Sequence, residues 1–276
     1  MTLPSFIRSV SRLLRTLKQQ KVFAAINIGG LAVGLACALL ILLWVQYERS
    51  YDGFHTQKDE IFRIINHQQR NGLDRDMSGA PYPLGPALKE NFPEIREYAR
   101  MFGYRPVCQT TGENAIQVNT RLIETDPQFF TLFDFPFARG EAGTALSDPY
   151  SLVLNEKTAR ALFGDEDPLG KTVIVGADEK LSLRVSGVVK DLPEISHIQF
   201  DVAIPLSVYR SGQSNPFIND WKVYFVTTYV RVDKTASIPA LEGKLSAFVQ
   251  AQDSANRNHP VWLQPFGRIH SDARIF

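Results

Sequence analysis

The stretch GDEDPLGKT, Gly164 to Thr172, holds residue types that could do nucleotide chemistry, since it ends in the Gly-Lys-Thr of a phosphate-binding loop. Such a loop cradles phosphates with backbone N–H groups and a lysine. Five residues separate Gly164 from Gly170, one more than that loop allows, and Asp165, Glu166 and Asp167 would repel a triphosphate. The order is also reversed, because the segment follows a helical pattern (156–163) and precedes a strand at Val173 to Val175. The histidines His55, His67, His197, His259 and His270 have no short paired spacing and no cysteine nearby, so no zinc frame is legible. Each is expected to be a surface or locally bonded histidine. No serine sits in a G-x-S-x-G elbow, and the carboxylates fall in no recognisable catalytic frame. No catalytic residue, metal ligand or bound cofactor is therefore expected. An anchored enzyme would need a site assembled only in three dimensions.

The elements that hold these residues begin with a charge asymmetry. The formal net charge is +1, yet the first 47 residues carry Arg8, Arg12, Arg15, Lys18 and Lys21 with no acidic group, leaving 25 basic against 29 acidic groups in the rest. That split fits a basic juxtamembrane segment joined to a mildly acidic domain and gives no support to nucleic-acid binding. With 276 residues, 44% of them hydrophobic, the chain can build a sizeable core. Cys37 lies in an apolar run and Cys108 far downstream, which speaks against a disulfide between them.

From Val22 to Val45 the sequence has no charged residue and only Asn27 as a strongly polar one. At about 1.5 Å per residue the run spans a hydrocarbon core of about 30 Å with some tilt. It is longer than a signal-peptide core, and no small-residue cleavage site follows. Five basic residues before it, against Arg49 beside Glu48 and Asp52 after it, place the N-terminus in the cytoplasm and the main domain outside. Phe6, Val10, Leu13, Leu14 and Leu17 recur at helical spacing opposite Arg8, Arg12 and Arg15. This suits either a helix lying in the cytoplasmic lipid interface or a plain extension of the span. Within the span, Asn27, Gly30, Gly34 and Ala38 share a stripe where a partner helix could pack.

Downstream, a strand near Ile61 to Asn66, a helix near Leu84 to Phe92 bracketed by prolines, and a strand near Tyr98 to Gly103 form one βαβ-type unit. A second follows in Val223 to Val232, Ile238 to Gln252 and VWLQPF. Between them, residues 105–195 read as a β-rich insertion with short helices at Phe129 to Phe133 and Glu156 to Phe163. The fold class expected is α+β, with one N-terminal transmembrane helix and an extracytoplasmic domain of two split βαβ units carrying an inserted subdomain.

Four segments resemble the MacB-like and FtsX-like ABC transporter permeases. They are INIGGLAVGLACALLILLWVQYERSYDGFH with the IFR that follows, GAPYPLGPALKENFPEIREYAR, SLVLNEKTARALFGDEDPLGKTV and LRVSGVVKDLPEISHIQFD. Glu48, Tyr51, Asp52, Phe54, His55 and Arg63 stand at the positions of a family motif after the span. The resemblance implies a cytoplasmic interfacial segment (1–21), a span (22–46), a porter-like part (47–104 and 196–268) carrying an inserted subdomain (105–195), and the start of a connection to further helices (269–276). It implies an inner-membrane permease that dimerises with itself or a relative, contacts lipid, and works with a separate cytoplasmic ATPase that consumes the ATP. That hydrolysis would move the extracytoplasmic domain, as mechanotransmission for export or efflux; a periplasmic adaptor is a further partner it allows. Family members continue with three more transmembrane helices where this chain stops at Phe276, so the chain is expected to be an N-terminal portion of such a permease. The rival reading is an anchored extracytoplasmic binding, sensor or signal-relay module that transports nothing.

Overall fold

The computed structural model describes residues 21–70, 73–176, 180–207, 217–252, 260–270 and 272. Two compact units divide at Ser50 and Tyr51. The first is, among the described residues, a single helix α1, Lys21–Ser50. Val22, Phe23, Leu31, Leu35 and Trp44 on it are all exposed. A soluble protein's core helix would be covered by its own chain; this one, long and apolar enough to cross a membrane from Lys21 to Glu48, is not. Lys21 is the first described residue of the helix, whereas Arg8, Arg12, Arg15 and Lys18 and the rest of the expected interfacial segment lie outside the described residues.

In the second unit, fourteen described strands join in one sheet: eleven follow the path β14-β1-β13-β4-β7-β12-β9-β11-β10-β5-β6, and β2 (Leu73–Met77), β3 (Gly79–Pro81) and β8 (Phe137–Arg139) pair off it with β1, β13 and β11. The first four on the path are β14 (Val261–Pro265), β1 (Ile61–Arg70), β13 (Tyr224–Val232) and β4 (Ile95–Tyr104). Each pairs antiparallel with the next, so β1 and β4 run parallel with β13 between them, and β13 and β14 run parallel with β1 between them. These are two interlocked split βαβ units. Helix α2 (Leu84–Asn91) crosses from β1 to β4 and α5 (Ile238–Gln252) from β13 to β14. Leu241, Leu245 and Val249, four residues apart, bury one stripe of α5, while Leu84 and Leu88 do so for α2. These side chains share a core with Ile64, Ile95, Val230 and Leu263. Gly85 is the residue that lets α2 settle, since a Cβ there would lie 2.6 Å from the Tyr98 ring.

Residues 105–195 supply further strands of the sheet, among them β5 (Val107–Thr110), β6 (Gln117–Asn119), β7 (Leu122–Thr125), β9 (Ser151–Asn155), β10 (Thr172–Val175) and β11 (Leu181–Val189). Helix α4 (Glu156–Phe163) lies in this region, and Leu162 joins Leu154, Val173, Val185 and Ile204 in a second core. The helix starts where expected because Asn155 Oδ1 accepts the Thr158 N–H at 2.8 Å. Replacing Asn155 by alanine is expected to cost about 1 kcal/mol in thermal or urea unfolding. Strand β12 (Val202–Pro205), within the range 196–268 that the sequence groups with the porter-like part, pairs parallel with β7 and antiparallel with β9. Val202 and Ile204 join the second core from one face of this strand, while Ala203 joins the aromatic core from the other.

The two parts meet where β4 leaves β13 and pairs with β7. Arg100 and Asp126 are buried there, with guanidinium Nη2 2.6 Å and Nε 2.9 Å from the carboxylate. Arg100 Nη1 also donates to the Tyr82 carbonyl at 2.7 Å. A third core, dominated by Phe129, Phe130, Phe133, Phe135, Phe200, Tyr229 and Phe266, fills the space beside this junction, with α3 (Phe129–Leu132) at its centre.

Candidate functional site

Chain entering the second unit turns sharply at Asp52, whose φ of 53° is a left-handed conformation that aspartate adopts more readily than most residues. The turn buries the carboxylate, which is 1% exposed, against residues 195–197. Asp52 N–H donates to the Ile195 carbonyl at 2.9 Å. Its Oδ1 accepts from Ser196 Oγ at 3.0 Å and His197 N–H at 3.1 Å, and Oδ2 accepts from His197 Nδ1 at 2.7 Å. Burial pushes the Asp52 pKa up, but the His197 bonds and charge and the Ser196 bond outweigh it and hold it below the usual carboxylate value.

The bonded chain continues inward. His197 Nε2 lies 3.1 Å from the Tyr229 hydroxyl. Burial, reinforced by Asp52, pushes Tyr229 up to about 12, so it stays protonated. Arg63 stands opposite Tyr229 in the β1–β13 register and bonds its hydroxyl. Arg63 also donates to Gln264 Oε1 from Nε at 2.9 Å and from Nη2 at 2.6 Å, and Gln264 Nε2 reaches Asp272 at 3.2 Å. Asp52 and Arg63, eleven positions apart in the motif, are thus linked through His197 and Tyr229.

His55 makes a second attachment. Its Nδ1 bonds the Phe133 carbonyl, so Nδ1 carries the proton and Nε2 is left buried as an acceptor with no partner among the described residues. Around it stand the rings of Phe54 at 3.9 Å and of Phe135 and Phe266 at 5.1 Å each. Burial in this apolar cage lowers the His55 pKa to about 4; the nearby His197 adds to the effect, while the Phe133 bond, Asp52 and Asp134 oppose it. Tyr51 stacks on His270 at 3.6 Å, bringing the entry segment against the chain after β14.

Of the motif residues, Tyr51, Asp52, Phe54, His55 and Arg63 converge on this knot, and Glu48 lies in the last turn of α1, in the other unit. Asn27, Gly30, Gly34 and Ala38 lie on α1, and a Cβ added at Gly30 or Gly34 meets nothing within 4 Å. Sequence reasoning missed Ser196, His197, Tyr229 and Gln264. Two histidines correct its expectation: His55 and His197 are largely buried, and their partners lie 78 and 145 residues away. Their burial follows from an aromatic core that only tertiary packing assembles. The sole signal was the position of His197 within the fourth resembling segment.

Elsewhere, several described ionisable groups form pairs. Lys171 of the phosphate-loop lookalike pairs with Glu166 and lies 4.9 Å from the centre of the Phe163 ring, in a turn between α4 and β10. A hollow of about 480 Å³ beside the start of α5 holds Arg96 with Asp233 and Lys244 with Glu94 as ion pairs. Among the described residues no three of His, Cys, Asp and Glu converge on a point fit for a metal.

The fold has solved counterparts. A domain assigned to a permease protein of Porphyromonas gingivalis superposes with TM-score 0.65 at 24% identity, covering 77% of this chain and 92% of that one. The periplasmic region of MacB from Actinobacillus actinomycetemcomitans gives 0.55 at 17% identity, covering 77% and 91%. The extracellular domain of the noncanonic ABC-type transporter YknZ from Gram-positive bacteria gives 0.53 at 12%, covering 74% and 99%. No curated protein matches the sequence. A family model, the MacB-like periplasmic core domain, matches residues 24–248, a range that takes in most of α1, the segment from Asp52 to Arg63 with His197 and Tyr229, the first βαβ unit, and β13 with most of α5 of the second, and the chain therefore belongs to that family.

Proposed function

We propose that this chain serves in an ABC transporter permease of the inner membrane, with its N-terminus in the cytoplasm. Its extracytoplasmic domain would be moved by ATP hydrolysis in a separate cytoplasmic subunit to export a substrate. The observation that carries this reading is the knot itself. A domain that merely needed anchoring could hang from a flexible tether, whereas residues 51–55, directly after the apolar helix, are built into the domain through a buried carboxylate and a buried imidazole. Burying such groups is costly unless they are bonded, so the arrangement favours stiff transmission over free suspension. The proposed division follows the cores, with a porter-like part around β1, β4, β13 and β14 and an inserted part carried beyond β4. The stripe of Asn27, Gly30, Gly34 and Ala38 is the proposed face for a second permease copy or another helix, and a periplasmic adaptor is a further proposed partner.

Purifying the full-length gene product from its own cells in mild detergent tests this. An ABC ATPase is expected to copurify in stoichiometric amount and to hydrolyse ATP. Absence of any ATPase, together with unchanged cellular activity after deletion of the neighbouring ATPase genes, would overturn the reading.

A further inference from the structure

We propose that Asp52, held through His197, is a latch that delivers displacement of the post-span segment to the crossover between β11 and β12, with His197 as the residue that positions it. This rests on the force-relay reading above and says where force would enter the domain.

The crossover, residues 190–201, leads directly into β12, which lies hydrogen-bonded between β7 and β9. A pull on residues 195–197 therefore acts on two further strands of the second core. Asp52 grips those three consecutive residues with four hydrogen bonds, one to the Ile195 carbonyl, one from Ser196 and two from His197. The grip is dry: Asp52 is 1% exposed and Ser196 3%. His197 is the branch point, because its other nitrogen reaches Tyr229 on β13, the strand at the centre of the split βαβ sheet. One imidazole thus connects the entry segment to both parts of the domain. Its ring also packs edge-on against Phe266 with centroids 4.6 Å apart, so its position is fixed by packing as well as by bonds.

Two substitutions separate the latch from mere packing. His197→Phe keeps a ring against Phe266 and removes both side-chain bonds. Asp52→Asn keeps the acceptor for Ser196 and the His197 N–H, tolerates the left-handed backbone, and can donate to a neutral His197 whose proton has moved to Nε2, facing Tyr229. Hydrogen–deuterium exchange on the full chain in lipid nanodiscs reads the outcome. In His197→Phe, amides of residues 52–55 and of Val202 to Ile204 are expected to exchange about tenfold faster together, while those of α5 and of β10 keep their rates. Asp52→Asn is expected to stay within about twofold of the parent. Faster exchange at residues 52–55 alone, a uniform rise across the domain, or equal loosening in both variants would overturn the latch. No ATPase enters this measurement, so failure of the latch and failure of an ATPase to copurify are separate results.

Discussion

Arg100→Met is expected to destabilise the extracytoplasmic domain by about 3–5 kcal/mol. Arg100 and Asp126 are each 4% exposed, so the single substitution leaves a carboxylate in a low-dielectric junction without its cation. It also strips a donor from the Tyr82 carbonyl and a guanidinium stacked 4.2 Å from the centre of the Tyr82 ring. Burial works against the arginine charge, yet the Asp126 bonds and charge outweigh it and raise its pKa, so the pair is held as ions. Removing both charges with Arg100→Met and Asp126→Leu is expected to recover most of the loss, because a buried pair replaced by apolar groups of similar volume is often neutral. Urea unfolding of the full chain, followed through Trp221 and Trp262 fluorescence, measures both. A double variant no more stable than Arg100→Met would show that the stranded carboxylate is not the cause. The location matters for function as well: Arg100 lies on β4 just before that strand passes from β13 to β7, and the Asp126 backbone directly follows β7. The pair therefore clamps the seam across which any motion between the two parts must pass.

Local pattern carried much of this fold. The alternation in Val223 to Val232 reappears as β13, the helix expected from Ile238 to Gln252 is α5 to the residue, and the prolines around Leu84 to Phe92 bound α2 as start and stop signals should. These elements were legible because each has a period of its own. Strand partners have none. Val-Ala-Ile-Pro at β12 suits any buried strand, and only its pairing with β7, some 80 residues earlier, assigns it to the second core. The same limit hid the site. Asp52 and Arg63 were visible as a motif, but the residues that join them are distant in sequence: His197 meets Asp52 across 145 residues, and Tyr229 pairs with Arg63 across 166. No spacing rule reaches that far. The lookalike phosphate loop is the converse case, in which a familiar tripeptide is explained by a turn that pairs Lys171 with Glu166.

Stability should fall steeply in mild acid because of His55. Its ordinary pKa of 6.5 drops to about 4 in the fold, so between those values the unfolded chain binds a proton that the folded chain refuses. Stability is therefore fully present above about pH 6.5 and declines as the pH falls, by roughly 3 kcal/mol once below pH 4. The cause is geometric: a proton on Nε2 would point among the rings of Phe54, Phe135 and Phe266 with no acceptor. The charged groups that face the ring are Asp52 and Asp134, which favour the cation, and His197, which opposes it, and burial outweighs them. Asp52 itself adds acid sensitivity only below its ordinary value of 3.8, because its pKa is lowered, so the two windows do not overlap. His55→Phe keeps an aromatic ring in the cage while giving up the bond to the Phe133 carbonyl. It is expected to be less stable than the parent by about 1–3 kcal/mol at neutral pH and to lose most of the slope between pH 6.5 and pH 4. Urea midpoints taken at half-unit pH steps for both chains give the difference directly, and a parent curve as flat as the variant's would mean that the imidazole is not held neutral. Since His55 stands three residues from Asp52 in the segment that follows the apolar helix, its protonation would loosen that segment first. Hydrogen exchange at residues 52–55 is expected to accelerate at a higher pH than exchange in α5.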